Sequence, residues 1–93
     1  MNSGERDYPA IAVVVPVYKA QNEILSVLNS MPESITKIFV IDDACPNQTG
    51  KLVQEKSKDK RVEVIFNKTN LGVGGAVVEG YKKALEGDYE III

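Results

Sequence analysis

Two adjacent carboxylates follow an apolar run in the middle of the chain. Residues 37–41 read Lys-Ile-Phe-Val-Ile, and Asp42, Asp43 and a turn containing Pro46 come next. The run has the length and β-branched content of a buried strand. In an open sheet of parallel strands, ligands bind outside the carboxyl ends of the strands. The position of the acids therefore predicts a binding site, although N–H bonds within the turn would explain them equally well.

Neighbouring residues of a strand face opposite sides of the sheet, so the two acids should have different partners. We expect Asp42, the last residue in the strand register, to face the ligand and Asp43 to accept bonds from turn amides. Cys45 lies close by, but a catalytic thiol needs a base and the chain has no histidine. The sequence therefore predicts a structural role for Cys45.

Two further motifs also follow predicted strands. Pro16-Val17-Tyr18 ends the first strand, where proline is tolerated and an aromatic ring can wall a flat ligand. Gly72 and Gly74 open a helix after the third strand, and glycines there let backbone amides approach a ligand. Their spacing departs from G-x-G-x-x-G, which argues against the dinucleotide fingerprint. Singly, the tyrosine could be a core-edge residue and the glycines could serve packing alone. Because all three motifs fall at one predicted sheet edge, we expect them to surround one crevice.

Predicted strands and helices alternate along the whole chain. The strands are 10–17, 37–42, 62–66 and 90–93, and the helices are 22–29, 49–57 and 72–85. This alternation predicts an α/β fold with three layers, in which Rossmann-like βαβ units with right-handed crossovers form a parallel sheet. The acidic turn and the Pro-x-Tyr segment must be neighbours to share a ligand. We therefore expect the strand order 3-2-1-4, with a switch point between strands one and four.

The composition limits the possible function classes. The chain has 93 residues, 44% of them hydrophobic, and a net charge of −2, so it is one small globular domain or part of a larger protein. It lacks the basic surface of a nucleic-acid-binding protein. A single cysteine excludes an internal disulfide and fits a reducing compartment, so we expect a cytoplasmic location. The apolar runs have strand length, which predicts no membrane-spanning segment.

In the order in which they occur, the three motifs resemble the N-terminal, nucleotide-binding part of a family 2 glycosyltransferase with the GT-A fold. The dolichol-phosphate mannosyltransferase-like enzymes are the most similar group. The matching segments are residues 13–18, 38–50 and 67–76. The resemblance covers the chain from residue 10 onward, and residues 1–9 are interpreted as a polar tail.

The resemblance implies that residues 10–93 are a truncated domain that binds a nucleoside-diphosphate sugar, from which the longer enzyme transfers the sugar to an acceptor. The residues that would bind the nucleotide are Pro16, Val17, Tyr18, Asp42, Asp43, Gly72 and Gly74. The Pro-x-Tyr residues would line the base, one acid would accept the imino N–H of the base, and the glycines would lie near the nucleoside.

In this family a metal-binding Asp-x-Asp follows the fourth strand, so the resemblance implies Mg²⁺ or Mn²⁺ only in a longer enzyme. The 93 residues would then hold neither metal ligands nor catalytic residues and would be inactive alone; whether the longer enzyme is membrane-associated stays open. The fourth strand would be an exposed apolar edge, through which we expect self-association.

Two other classes of protein remain as alternatives. One is a receiver-like or flavodoxin-like signalling module, whose acidic cluster would bind Mg²⁺. A first strand that ends in Pro-Val-Tyr, with no acid, argues against it. The other is a non-catalytic interaction domain.

Overall fold

A computed structural model of the chain describes residues 9–93. The predicted polar tail, residues 1–9, lies outside the described residues except for Pro9. In chain order the elements are β1 (Ile11–Val17), α1 (Ile24–Asn29), β2 (Lys37–Asp42), α2 (Thr49–Lys56), β3 (Val62–Phe66), α3 (Gly72–Ala84) and β4 (Ile91–Ile92). Within this part of the chain, no helix has the length and apolarity needed to cross a membrane.

The four strands form one parallel sheet in the order β3-β2-β1-β4, which confirms the predicted topology. The register places Val17, Asp42 and Phe66 side by side at the carboxyl ends of β1, β2 and β3. The order reverses between β1 and β4, as a switch point requires. The sheet thus brings the ends of the motif-bearing strands to one edge.

Helices cover both faces of the sheet and give the molecule three layers. α1 and α2 cover one face, and the buried residues there are Val17, Ile24, Leu28, Ile35, Ile38, Val40 and Val53. α3 covers the other face, and the buried residues there are Ala12, Phe39, Ile41, Ala76 and Ala84. The division follows from the topology. Two successive crossovers step one way across the sheet and the third steps back, so right-handed connections put α3 on the opposite face.

α3 lies close to the sheet because small residues line its inner side. Ala76, Gly80 and Ala84 are all buried and recur every four residues, which places them on one face of the helix. A Cβ atom built on Gly80 would collide with a methyl group of Val14 and lie 3.2 Å from Ile41 Cγ1. The contact between α3 and the sheet therefore depends on the absence of a side chain at this position.

Several elements are shorter than the sequence predicts. α1 begins at Ile24 instead of residue 22, because the N–H groups of Glu23 and Ile24 both bond to the Ala20 carbonyl in a preceding turn. α2 ends at Lys56, since Ser57 is extended with ψ 132°. β4 spans two residues instead of four. These differences of one or two residues leave the topology unchanged.

Candidate functional site

At the carboxyl ends of β1, β2 and β3, backbone hydrogen bonds continue for one residue past the ends of β2 and β3. The Asp43 N–H donates to the Val17 carbonyl at 3.1 Å, and the Asn67 N–H donates to the Asp42 carbonyl at 2.8 Å. The segments that follow β1, β2 and β3 are therefore held side by side. Asp42 and Asp43 each expose only 3% of their surface, so the two acids lie inside this edge of the sheet.

Asp42 faces α2 and holds the turn between β2 and that helix. Its Oδ1 accepts the Cys45 N–H at 2.7 Å, and its Oδ2 accepts the Gly50 N–H at 2.7 Å. Asp42 shares the register position of Val17, whose side chain packs against α1 and α2, so both side chains point to that face. The expected orientation of Asp42 toward a ligand is therefore corrected, because Asp42 bonds the turn after β2.

Asp43 points to the opposite face, toward the start of α3, and accepts three N–H bonds. Its Oδ1 accepts the Asn67 side-chain amide at 2.9 Å and the Leu71 N–H at 2.8 Å, and its Oδ2 accepts the Gly72 N–H at 2.8 Å. Burial raises the pKa of Asp43, but the bonds from Leu71, Asn67 and Gly72 together outweigh it, so the pKa lies below its ordinary value. The carboxylate is therefore ionised at neutral pH and only accepts hydrogen bonds.

A shallow cleft lies beside Asp43, between the end of β1 and the first turns of α3. Its volume is about 40 Å³, and its lining residues are Pro16, Val17, Tyr18, Asp43, Val73 and Ala76. That volume is little more than the volume of one water molecule. A planar ring would therefore lie across the mouth of the cleft instead of inside it. Tyr18 is 45% exposed and Val73 is 74% exposed, which leaves both apolar surfaces available to a ligand. Apolar sides and one fixed acceptor suit a flat heterocycle that carries an N–H donor.

The two predicted glycines have different surroundings. Gly72 donates its N–H to Asp43 and has φ +81°, a backbone conformation that residues with side chains rarely adopt. Gly74 is absent from the cleft lining, and a Cβ atom built on it would meet no atom within 4 Å. Of the predicted residues, the structure brings together at the cleft Pro16, Val17, Tyr18 and Asp43. Gly72 supports Asp43, whereas Asp42 and Gly74 lie outside the cleft.

A second network connects the turn after β1 to the turn after β2. Cys45 Sγ accepts the Lys19 N–H at 3.0 Å and lies 3.0 Å from the Thr49 hydroxyl, which accepts the Ala20 N–H at 3.3 Å. Three residues in these turns have positive φ without being glycine, namely Lys19, Ala44 and Gln48. The buried network holds them in this strained conformation. The contacts of Cys45 agree with the structural role predicted for it.

The described residues do not offer a metal site at this edge. Residues 9–93 contain no group of three or more acids, cysteines or histidines placed to hold a metal ion. Both oxygens of Asp42 and of Asp43 accept N–H bonds from the protein. We therefore assign no step to a metal held by these residues.

A larger groove of about 460 Å³ lies between α2 and the amino half of β3. Its two acids are already paired, Asp59 with Arg61 at 2.7 Å and Glu63 with Lys37 at 3.2 Å. Ligands of parallel sheets bind at the opposite, carboxyl ends of the strands. We therefore place the candidate site at the smaller cleft beside Asp43.

Three residues at the site were not among those predicted from the sequence: Asn67, Val73 and Ala76. A signal for Asn67 was present, since it directly follows β3 as Asp43 follows β2. Because β2 and β3 are adjacent and parallel, Asp43 and Asn67 must lie next to each other. Val73 and Ala76 carry no such signal, because their contact with the cleft depends on how α3 is rotated.

Comparison with known proteins identifies the family of the chain. The model of the family described as Glycosyl transferase family 2 matches residues 12–93. An undecaprenyl-phosphate mannosyltransferase of Micrococcus luteus is 26% identical over 86 residues, which cover 89% of this chain and 35% of that protein. An uncharacterized glycosyltransferase of Haemophilus influenzae is 36% identical over 86 residues, which cover 87% of this chain and 34% of that protein.

A UDP-N-acetylglucosamine–dolichyl-phosphate N-acetylglucosaminyltransferase of Methanococcus voltae is 28% identical over 90 residues, which cover 82% of this chain and 36% of that protein. The chain thus spans about a third of the length of each of these relatives. The family match includes all three motifs and argues against the receiver-like or flavodoxin-like signalling module. The chain belongs to glycosyl transferase family 2.

Proposed function

We propose that this chain binds the nucleoside part of a nucleoside-diphosphate sugar, the donor substrate of a sugar transfer. The observation that supports the proposal is the carboxylate of Asp43, which is buried, ionised and fixed by three N–H bonds at the floor of an apolar cleft. The cleft lies at the carboxyl ends of parallel strands, where such sheets bind nucleotides.

Each part of the cleft has a role in this proposal. The exposed faces of Tyr18 and Val73 would contact the two sides of the base, which removes apolar surface from water. Asp43 would accept an N–H of the base in a charge-assisted hydrogen bond. Because the carboxylate is already held in place, little ordering would accompany binding.

For a longer enzyme that contains this chain, we propose transfer of the sugar from the nucleoside diphosphate to a polyprenyl phosphate. The names of two relatives state an undecaprenyl-phosphate and a dolichyl-phosphate reaction. The leaving diphosphate needs a cation to neutralise its charge, and residues 9–93 hold no cluster of metal ligands. We therefore expect these residues alone to bind the nucleotide weakly and to transfer no sugar.

Nuclear magnetic resonance titration of the ¹⁵N-labelled chain with UDP and GDP tests the proposal. We expect amide shifts to concentrate at Tyr18, Asp43 and Val73, with none on addition of ribose 5-phosphate, which lacks a base. Val73→Ser should weaken binding. Val78→Ser is the matched control, since Val78 is another exposed valine of α3 but does not line the cleft. Shifts at the groove between α2 and β3, or no shifts with either nucleotide, would contradict the proposal.

A further inference from the structure

We infer that the base recognised at this cleft is a pyrimidine with a single imino N–H between two carbonyl groups, that is uracil or thymine, and not guanine. The inference rests on the proposed function and adds the class of base to it. It depends on how many hydrogen bonds the Asp43 carboxylate can still accept.

The count begins with the donors that Asp43 already has. A carboxylate offers about four acceptor positions, two on each oxygen. Within residues 9–93, Oδ1 accepts two bonds, from the Asn67 side chain and the Leu71 N–H, and its positions are filled. Oδ2 accepts one bond, from the Gly72 N–H. One acceptor position therefore remains on this carboxylate, and it is on Oδ2.

The edges of the bases differ in the number of donors they present. Uracil and thymine carry one imino N–H, at N3, between two carbonyl oxygens. Guanine carries N1–H and an amino group next to each other, and a carboxylate binds this pair with both of its oxygens. At Asp43 that arrangement would require Oδ1 to release either Asn67 or Leu71, or would leave one guanine donor without a partner. An unpaired buried donor is costly.

The remaining bases meet the carboxylate less favourably. Cytosine N3 and adenine N1 are acceptors, and either would face the negative charge of Asp43. The amino group of either base could donate to the free position on Asp43 Oδ2 only if the neighbouring ring nitrogen, an acceptor, also faced the carboxylate. A single remaining acceptor position therefore matches a single imino donor best.

Competition among nucleotides for the unmodified chain tests the inference. The dissociation constants of UDP, dTDP, GDP, CDP and N3-methyl-UDP would be measured by ligand-observed nuclear magnetic resonance. We expect UDP or dTDP to bind at least about tenfold tighter than GDP and CDP, and the two arms show whether uracil or thymine is preferred. N3-methyl-UDP should bind no better than CDP, because the methyl group replaces the donor.

A pair of variants tests the cause of the preference. Asn67→Ala frees an acceptor position on Oδ1 of Asp43. The affinity for GDP should therefore rise relative to that for UDP, and the ratio of their dissociation constants should move toward one. Asn70→Ala is the matched control, because the Asn70 amide donates to the main-chain oxygen of Asp43 and not to its carboxylate. Circular dichroism would show that both variants are folded.

The outcomes separate the inference from the proposed function. GDP binding as tightly as UDP and dTDP, tight binding of N3-methyl-UDP, or an unchanged ratio in Asn67→Ala would overturn the inference and leave nucleotide binding in place. Binding of no nucleotide at all would overturn the proposed function and the inference with it.

Discussion

The carboxylate of Asp43 serves both the fold and the proposed site. Its three N–H donors belong to Asn67, at the end of β3, and to Leu71 and Gly72, at the start of α3. Hydrogen bonds to a charged group each contribute about 1.5–3 kcal/mol. A negative charge at this position is also favoured by the dipole of α3. Asp43 therefore fixes the segment between β3 and α3 before any ligand is bound.

The pH dependence of stability should show the contribution of Asp43. Its pKa is lower in the folded chain than its ordinary value of 3.8, so its contribution is complete above that value and is lost as pH falls through the folded pKa. The free energy of unfolding, measured by urea titration, should stay level near neutrality and decline below about pH 4. Asp43→Asn should lose about 1–3 kcal/mol at neutral pH and less in acid, so the two curves converge.

The matched control for this prediction is Asp88→Asn, which changes an exposed carboxylate in the turn before β4. Its free energy of unfolding at neutral pH should match that of the unmodified chain, because the side chain is exposed. Part of the acid decline belongs to Asp59, whose pKa is also lowered, chiefly by its hydrogen bonds with Arg61. A decline that is equally steep in Asp43→Asn and in the unmodified chain would assign all of it to other carboxyl groups.

At the scale of elements, the packing of α3 depends on Gly80. A side chain there would collide with Val14 of β1, so Gly80→Ala must move the helix or the strand. Overpacking of this kind costs typically about 1–3 kcal/mol. Gly74→Ala, in the same helix, meets no atom within 4 Å and should stabilise by about 0.5–1 kcal/mol, because alanine is the better helix former.

Thermal unfolding of the two variants provides the comparison. The melting temperature should fall for Gly80→Ala and rise slightly for Gly74→Ala. If Gly80→Ala were as stable as the unmodified chain, α3 would have to lie farther from β1 than the structure shows. The sign of the difference between the two glycines therefore tests the position of the helix directly.

Strand order and the meeting of three motifs at one edge were predictable, because alternating strands and helices allow few topologies. Asp42 was expected to face the ligand but bonds the turn after β2, although the information to avoid this was present. The order 3-2-1-4 with right-handed crossovers puts α3 alone on one face, and strand alternation puts Asp43 on that face. The contacts of Val73 and Ala76 were not predictable, since they depend on the rotation of α3 after a loop.

At the scale of the whole molecule, the carboxyl and amino ends of the strands carry different groups of side-chain contacts. The carboxyl ends carry the cleft. At the amino ends, the Arg61 guanidinium donates to the carbonyls of Pro32 at 2.6 Å and Ile35 at 3.1 Å and pairs with Asp59, which fixes the segment that leads into β2. Changes at one end should therefore leave the other unaffected, as expected of sites with no shared partners.

The side edge formed by β4 is one of the two open edges of the described sheet, and β3 forms the other. Within residues 9–93, β4 has β1 on one side and no strand on the other. Ile91 is 42% exposed and Ile93 is 61% exposed, and Leu85, directly after α3, lies near the same edge and is 72% exposed. An open, uncharged strand edge beside apolar side chains is a template for pairing with another chain.

We therefore expect the chain to self-associate through β4, most simply as a two-fold dimer, at micromolar concentrations in light scattering. Ile91→Lys should shift the mass toward the monomer, because a charged side chain on an edge strand opposes pairing. Val27→Lys on α1 is the matched control, since Val27 is also 42% exposed but lies away from this edge, and its mass should match that of the unmodified chain. A monomeric unmodified chain, or equal dissociation in both variants, would show that β4 is not the contact.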